Sequence, residues 1–254
     1  MILAIDIGNR IITAGIVEEG EIRTIIHLHT AQDYTPEEYA VRIKEMLDHF
    51  GVDYRKIEGA ILSSVVPPVT AALSAAVREL TGLQCLIVGP GIKTGMNVRI
   101  DDPGTLAAGI AVDSVAAIKH YGTPVIVLNM GTATVLSVID GKGSYRGGAI
   151  MPGVKLGLQA LSEGTSLLPD ISFTAPKKTI GTNTVDAMRS GAVFGTASLV
   201  EGMIARMEQE LGTGCAVVAT GDPAKEILPY CRREILFDEH LTLKGLWLLY
   251  KKNA

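Results

Sequence analysis

The sequence predicts an α/β protein built from two copies of one supersecondary unit, and three observations carry this prediction. Residues 2–5 and 124–128 are short apolar runs, and each is followed by a polar loop containing glycine and then by a second apolar run. Each second run ends in a glycine turn that leads into a third run. Equivalent positions lie 123 residues apart, close to half of the 254-residue chain, which indicates an internal duplication at the scale of a domain.

The first copy is predicted to be a meander of three strands followed by helices. Apolar runs separated by turn residues indicate strands at 2–5, 11–17 and 22–29. Apolar residues at helical spacing indicate helices at 36–50 and 69–80. A third helix is expected to begin at the cap Asp101-Asp102-Pro103 and to end near Tyr121.

The second copy repeats the meander and continues with alternating helices and strands. Its strands are expected at 124–128, at 135–139 and from Tyr145 onwards. A largely helical stretch at 184–211, a strand at 216–219 and a terminal helix at 242–251 follow. Each half is therefore expected to form a layered α/β lobe, and the predicted domains are residues 1–122 and 123–254.

Charge and residue usage exclude several classes of protein. A net charge of −4 and a pI near 5.8 give no general attraction for nucleic acid or for an anionic membrane. No apolar run reaches the ~20 residues of a membrane-spanning helix, and the first residues lack the basic start of a signal peptide. The three cysteines and five histidines have no metal-ligand spacing, so we expect a reduced, cytoplasmic chain.

The two polar loops have the composition of phosphate-binding turns. Asp6-x-Gly8-Asn9 follows the first strand, and Asn129-x-Gly131-Thr132-x-Thr134 occupies the equivalent place in the second copy. Glycine lets a phosphate approach backbone N–H groups without a Cβ clash. The aspartate has the chemistry to hold a hydrated Mg²⁺, and the threonine hydroxyls are further donors. A single such loop is usually only a tight turn, but the matched pair favours nucleotide phosphate binding.

Eight segments in chain order resemble one kinase family. They are DIGN at 6–9, SSVVPP at 63–68, VGPGIKTG at 88–95, DDP at 101–103, GTAT at 131–134, GGAIMPG at 147–153, IGTNT at 180–184 and LTLKGL at 241–246. Paired loops in duplicated lobes resemble the superfamily of acetate and sugar kinases, Hsc70 and actin. Within it the chain is similar to type III pantothenate kinase over essentially its whole length. The resemblance implies duplicated actin-like (ribonuclease H-like) lobes with ATP in the cleft between them.

The resemblance also implies an activity and its site residues. The activity is ATP-dependent phosphorylation of pantothenate, in coenzyme A biosynthesis, by a dimer that binds pantothenate near the subunit interface. Asp6 would hold Mg²⁺ through water, and Thr184 resembles a threonine that contacts pantothenate across that interface, although Asn183 or Thr184 also reads as a helix N-cap. The implied nucleotide contacts are Asp6, Gly8, Asn9, Arg10, Gly131, Thr132, Thr134 and Gly221.

The chain departs from the family pattern at five functional places. Two affect the loops: Arg10 replaces a threonine, and Asn129 replaces an aspartate, so the amide keeps the shape but loses the charge that K⁺ or NH₄⁺ needs. One lies near adenosine, where Asp222 replaces the last glycine of T-G-G. Two lie on the pantothenate side. There, Ile100 replaces a tyrosine, and Ala107-Ala108-Gly109-Ile110 replaces G-A-D-R, whose aspartate is the general base.

The pantothenate-side replacements have the largest chemical consequence. A positioned general base contributes about 10²–10⁴ in rate, and Gly109 and Ile110 supply neither a proton acceptor nor a cation. Gly109 is also expected inside a helix, where glycine costs about 1 kcal/mol against alanine. Asp113, about one helical turn further on, is the single candidate for a substitute base, although a solvated position is the simpler interpretation. Asp101 or Asp102 is interpreted as a helix cap.

Three functions follow as alternatives. The favoured one is an impaired subunit that pairs with an intact paralogue and lends it Thr184, since the residues serving its own site are lost while the residue serving a partner is kept. The second is an active pantothenate kinase, as a homodimer, that uses Asp113. The third is a nucleotide-responsive regulatory or binding protein, for which Arg10 favours phosphate whereas Asn129 and Asp222 weaken binding.

Overall fold

The computed structural model describes residues 1–254 and divides them into two compact units. The first unit comprises Met1–Gly95, Asp102–Ala116 and His240–Ala254, and the second comprises Met96–Asp101 and Ala117–Glu239. This division differs from the predicted halves, 1–122 and 123–254, because the C-terminal helix returns to the first unit.

The chain forms eleven strands and eight α-helices. The strands are β1 (Ile2–Ile7), β2 (Ile11–Glu18), β3 (Glu21–His29), β4 (Gly59–Ser64), β5 (Cys85–Ile87), β6 (Asn97–Val98), β7 (Val125–Met130), β8 (Ala133–Ile139), β9 (Ser144–Pro152), β10 (Ala216–Thr220) and β11 (Leu236–Phe237). The helices are α1 (Pro36–His49), α2 (Pro67–Thr81), α3 (Ala108–Tyr121), α4 (Val154–Gly164), α5 (Thr184–Ser190), α6 (Thr196–Leu211), α7 (Asp222–Ile227) and α8 (Leu241–Asn253). Both predicted meanders are present.

The sheet of the first unit has the strand order β3-β2-β1-β4-β5. β1 pairs antiparallel with β2 and parallel with β4, so Asp6 lies between Thr13 and Ser63. All residues of β1 except Asp6 are buried, as the continuous apolar run predicts for a central strand covered on both faces. Asp6 is therefore the one polar side chain that the central strand presents.

Two helical layers cover this sheet. Leu3 and Ile5 of β1 belong to the core that includes the apolar faces of α1 and α2. Ile2 and Ala4, on the opposite face, pack in a second core with Leu243, Leu246 and Leu249 of α8 and with Val112 of α3. The apolar stripe of α8 is thus buried on the first sheet, which explains why the chain end belongs to that unit.

The sheet of the second unit has the order β11-β10-β7-β8-β9-β6. Its central strand β7 pairs parallel with β10 and antiparallel with β8, which places Asn129 between Thr220 and Val135. Asn129 in this sheet therefore corresponds to Asp6 in the first. Ile126 and Leu128 of β7 pack against Val200 and Ile204 of α6 in the core of this unit.

The stretch predicted as largely helical is α5, a π-helical segment at Gly191–Gly195 and α6 in direct succession. Its widened turn carries Val193, which is fully buried in the core of the second unit. Single π-helical turns within α-helices are frequent at functional sites. This one borders the pocket described below.

The start of α3 differs from the prediction. Asp102 accepts a hydrogen bond from the backbone N–H of Gly104 at 2.9 Å and caps only a short 3₁₀ turn at Pro103–Thr105. α3 begins later, at Ala108. The predicted Asp-Asp-Pro cap therefore belongs to a separate turn, because Leu106 has an extended backbone conformation that ends this turn before the helix starts.

None of the helices has both the length and the apolar composition that crossing a bilayer requires.

Candidate active site

The first glycine loop connects β1 to β2 and is closed by backbone hydrogen bonds. Gly8 N–H donates to the carbonyl of Ile11 at 3.0 Å, which turns the chain within a few residues. A Cβ at Gly8 would lie 3.0 Å from that same carbonyl oxygen, tighter than nearly all real contacts. The turn therefore favours glycine at this position, while Asn9 and Arg10 at its tip are exposed.

The carboxyl group of Asp6, at the end of β1, has a raised pKa. Burial, followed by the nearby negative charge of Asp113, raises the pKa of Asp6 to about 7, while a hydrogen bond with Ser63 acts in the opposite direction. The side chain is only half-buried in terms of surface, so solvent still reaches it. A carboxylate that solvent still reaches is a ligand that suits a hard divalent cation.

Asp113 of α3 is held in the interior rather than solvated, contrary to the simpler interpretation of the sequence. It is 3% exposed, and its Oδ1 accepts a hydrogen bond of 2.7 Å from Thr242 Oγ1 of α8. The two helices approach closely here, since a Cβ at Gly245 would lie 2.2 Å from the carbonyl oxygen of Val112. Asp113 is thus enclosed by α8, with one carboxylate oxygen already engaged.

The segment that replaces G-A-D-R forms the first turn of α3. Ala107 is exposed and precedes the helix, while Ala108, Gly109 and Ile110 are half-buried. Gly109 is the second helical residue, so the expected cost of glycine in a helix interior does not apply there. No atom lies within 4 Å of a Cβ built at Gly109. The position has room for a side chain but offers no proton acceptor.

The second glycine loop, between β7 and β8, is also closed by a backbone hydrogen bond from its glycine, across one residue fewer than in the first loop. Gly131 N–H donates to the carbonyl of Ala133 at 2.9 Å. Thr132 at the tip is exposed, whereas Thr134 is 2% exposed. Of the two threonines predicted to face phosphate, only Thr132 therefore presents its side chain to solvent. Asn129 is half-buried at the end of β7.

Gly221 follows β10 and approaches the second loop of the same unit. Its φ is +93°, and a Cβ would lie 2.2 Å from the carbonyl oxygen of Met130. Any other residue would have to displace the backbone of β7 next to the loop. Asp222, the first residue of α7, is exposed, so the carboxylate that replaces the third glycine faces solvent.

A pocket of about 740 Å³ lies in the second unit between α4 and the start of α5. Its walls are mainly apolar, with a polar edge made by Thr182, Asn183 and Thr184. Asn183, not Thr184, is the N-cap of α5, because its side chain accepts a hydrogen bond of 2.9 Å from Asp186 N–H. The exposed hydroxyl of Thr184 is therefore not used for capping and borders the pocket.

Ile100 lies apart from this pocket wall. It is half-buried just after β6, and its Cγ2 would be 3.8 Å from a Cβ at Gly147, a glycine with φ of +110° on β9. An isoleucine in this position packs against the β9 backbone and carries no hydroxyl. The polar contact that the family tyrosine implies is absent from this position.

Comparison with known proteins identifies the family. The family model for type III pantothenate kinase matches residues 2–206. The chain belongs to the type III pantothenate kinase family. It is also 40% identical over 257 residues to the type III pantothenate kinase of Halalkalibacterium halodurans, an alignment that covers 100% of both chains. The resemblance drawn from the motifs is thereby confirmed.

Solved structures support the fold. The chain superposes on component A of the (R)-2-hydroxyglutaryl-CoA dehydratase of Acidaminococcus fermentans with a TM-score of 0.57 and 15% identity, covering 100% of this chain and 98% of that one. It superposes on the inorganic polyphosphate/ATP-glucomannokinase of an Arthrobacter strain with a TM-score of 0.52 and 17% identity, again covering 100% and 98%. The type III pantothenate kinase fold of this chain is the predicted duplicated actin-like fold.

The structure also brings forward residues that the sequence did not single out. Thr242 reaches Asp113 from α8, and Thr30 and Gly153 contact the two glycine loops. One signal for the last two was available: Thr30 and Gly153 are separated by 123 residues, the same offset as the loops themselves.

Proposed function

We propose that this chain is a type III pantothenate kinase-like subunit of coenzyme A biosynthesis that is catalytically impaired and pairs with an intact paralogue. The observation that carries the proposal is the first turn of α3. Where the family supplies an aspartate and an arginine, this turn has Gly109 and Ile110, and no atom fills the space beside Gly109. A subunit built this way has no group there to take the proton of the pantothenate hydroxyl.

The magnitude of this loss supports impaired catalysis of the acceptor step. Phosphoryl transfer depends mainly on positioning and on stabilisation of charge, and a general base adds about 10²–10⁴ in rate. The missing arginine also removes a positioning contact to the anionic acceptor. Since both groups act on the acceptor, the nucleotide side cannot compensate for them.

The nucleotide side keeps features that suit ATP and Mg²⁺. Both loops are closed turns with exposed tips, and Thr132 presents a hydroxyl. Asp6 offers carboxylate oxygens that suit Mg²⁺ and would hold the ion through water, while the enclosed Asp113 adds negative charge nearby. When bound, Mg²⁺ neutralises charge on the phosphates. Asn129 offers only a neutral amide oxygen, so we expect K⁺ or NH₄⁺ to bind weakly.

Asp113 is a poor substitute for the missing base, and this weighs against an independently active homodimer. It is nearly inaccessible, and Thr242 already donates to one of its oxygens. A general base must lie within hydrogen-bond reach of the substrate proton, directly or through one water. Enclosure by α8 leaves Asp113 better suited to act on Asp6 than on an alcohol.

The free hydroxyl of Thr184 supports the pairing half of the proposal. Because Asn183 caps α5, Thr184 is not needed for the helix and borders an apolar pocket. We propose that this hydroxyl serves the pantothenate site of a partner chain across the subunit interface. Retention of a residue that serves only a partner is what a supporting subunit requires.

Co-expression with an intact family member tests the proposal. The intact chain, which carries G-A-D-R, would bear the only affinity tag, and the untagged chain would be followed by mass and light scattering. The account predicts a mixed dimer whose rate of phosphopantothenate formation per intact subunit differs from that of the intact chain alone. If assembly and rate are both unchanged on mixing, the pairing proposal is rejected.

A further inference from the structure

Thr30, directly after β3, makes two hydrogen bonds to the first glycine loop. Its backbone N–H donates to the carbonyl of Arg10 at 3.0 Å, and its Oγ1 donates to the carbonyl of Gly8 at 2.8 Å. Two of the carbonyls in the four-residue stretch from Gly8 to Ile11 are thus held by one residue. A third, that of Ile11, accepts from Gly8 N–H.

Gly153, directly after β9, makes a comparable hydrogen bond to the glycine loop of the second unit. Its N–H donates to the carbonyl of Thr132 at 3.0 Å. It lies 123 residues after Thr30, the offset that also relates Gly8 to Gly131. The contact between the residue after the third strand and the glycine loop is therefore part of the duplicated unit.

The two contacts differ in how they are made. Thr30 uses a side-chain hydroxyl in addition to its N–H. Gly153 uses close approach, since a Cβ there would lie 2.3 Å from the carbonyl oxygen of Gly131 and 2.5 Å from that of Thr132. Thus the first contact uses a hydroxyl, and the second leaves no room for a side chain.

Orientation of these carbonyls matters for an anion. A loop that binds phosphate has to direct N–H groups towards the ligand, whereas carbonyl oxygens facing it would repel the phosphate oxygens. Carbonyls that accept hydrogen bonds from Thr30 or Gly153 are turned towards the third strand of their own meander. The same bonds limit the loop to one conformation, which lowers the entropic cost of ordering it on binding.

We propose that Thr30 and Gly153 are positioning residues that hold the carbonyls of the two loops away from a bound nucleotide phosphate. The proposal rests on the nucleotide-binding part of the proposed function. It predicts that loss of the Thr30 hydroxyl weakens nucleotide binding without a change at any residue that touches the nucleotide.

Thr30→Val is the decisive variant because it keeps the shape of the side chain and removes the donor. Titration of the full chain with MgADP by calorimetry should show affinity lowered by about tenfold, equivalent to 1.4 kcal/mol, and Thr30→Ser should restore it. Thr24→Val, a half-buried threonine elsewhere on β3, is the matched control and should bind like the unchanged protein. Gly153→Ala should weaken binding further, with Gly202→Ala at an exposed position of α6 as its control.

Hydrogen exchange of the ligand-free chain separates this proposal from the proposed function. Thr30→Val should speed exchange of the Gly8 amide, while Thr24→Val should not. If the unchanged chain binds no MgADP, the nucleotide role of both the loops and Thr30 is rejected together. If it binds MgADP but Thr30→Val binds equally well, or Thr30→Ser fails to restore binding, the positioning role alone is rejected.

Discussion

Thr242 Oγ1 on α8 donates a hydrogen bond of 2.7 Å to Asp113 Oδ1 on α3, across 129 residues of sequence. This bond ties the last helix of the chain to the carboxylate that lies next to Asp6. It gives the only acidic residue of α3 a structural partner. Asp113 is therefore accounted for without a catalytic role as base.

Loss of the Thr242 hydroxyl should destabilise the protein. Thr242→Val removes one hydrogen-bond donor from a buried carboxylate, which costs about 1–3 kcal/mol. Urea unfolding followed by circular dichroism measures this, and Thr242→Ser, which keeps the donor, should stay close to the unchanged protein. Equal stability of all three proteins would show that the bond contributes nothing.

Restoring the family residues should restore chemistry. In Gly109→Asp/Ile110→Arg the new carboxylate enters open space, so the fold should tolerate it. We expect phosphopantothenate formation by the lone chain to rise at least about 100-fold, the lower range for a general base. Ala108→Asp places the same charge one residue earlier, turned away by roughly 100° on the helix, and should give no gain. A silent double variant would mean that the defect lies elsewhere.

Substitutions of the neighbouring residues Thr184 and Asn183 should affect different properties, the first the rate and the second the stability. Thr184→Val in a mixed dimer should lower the rate of the intact partner, with the melting temperature of this chain unchanged. Asn183→Ala should instead cost about 0.5–2 kcal/mol of stability, since it removes the N-cap of α5. Steady-state assays and thermal melts of each variant provide both readouts. A Thr184→Val dimer with full activity would remove the trans contact from the account.

The ion pair between Arg233 and Glu208 should give a pH-dependent contribution to stability. Arg233 Nη1 donates to Glu208 Oε2 at 2.9 Å, and hydrogen bonding with Arg233 lowers the pKa of Glu208 from its usual 4.5. A lowered folded-state pKa means that the stabilisation is complete above pH 4.5 and is lost as pH falls through the folded value. Glu208→Gln should therefore destabilise the protein at pH 7, and the difference in the free energy of unfolding should shrink as the pH falls below 4.5. A constant difference in the free energy of unfolding across this range would contradict the assignment.

The local pattern of apolar runs and turns was sufficient to predict the two strand meanders. It was not sufficient to predict which helices pack on them. The apolar runs of β1 and β7 and the glycine turns after β2 and β8 predict the strands to within a few residues of their observed bounds. The same pattern occurs twice, at an offset of 123 residues. The burial of Asp113 depends on α8, which is far away in sequence. For the same reason the sequence did not predict that the chain end belongs to the first unit.

The parts of the site whose backbone conformation depends on local residue types could be predicted from the sequence. The parts that depend on a particular hydrogen bond could not. Gly8 and Gly131 were singled out because glycine lets a phosphate approach backbone N–H groups, and both loops are closed by a backbone hydrogen bond from the glycine N–H. The sequence pattern allows either Asn183 or Thr184 as the N-cap of α5. In the structure, the Asn183 side chain accepts the capping hydrogen bond. Gly109 was predicted inside a helix but lies in the first turn of α3, because Asp102 caps a separate 3₁₀ turn before α3 begins.

Turnover of the isolated, untagged chain with saturating MgATP and pantothenate is the most direct test of impairment. The account predicts a rate at least about 100-fold below that of an intact family member measured alongside it, because the first turn of α3 holds neither the base nor the arginine. Turnover in the usual kinase range, about 1–100 s⁻¹, would contradict it and would show that another residue deprotonates the acceptor.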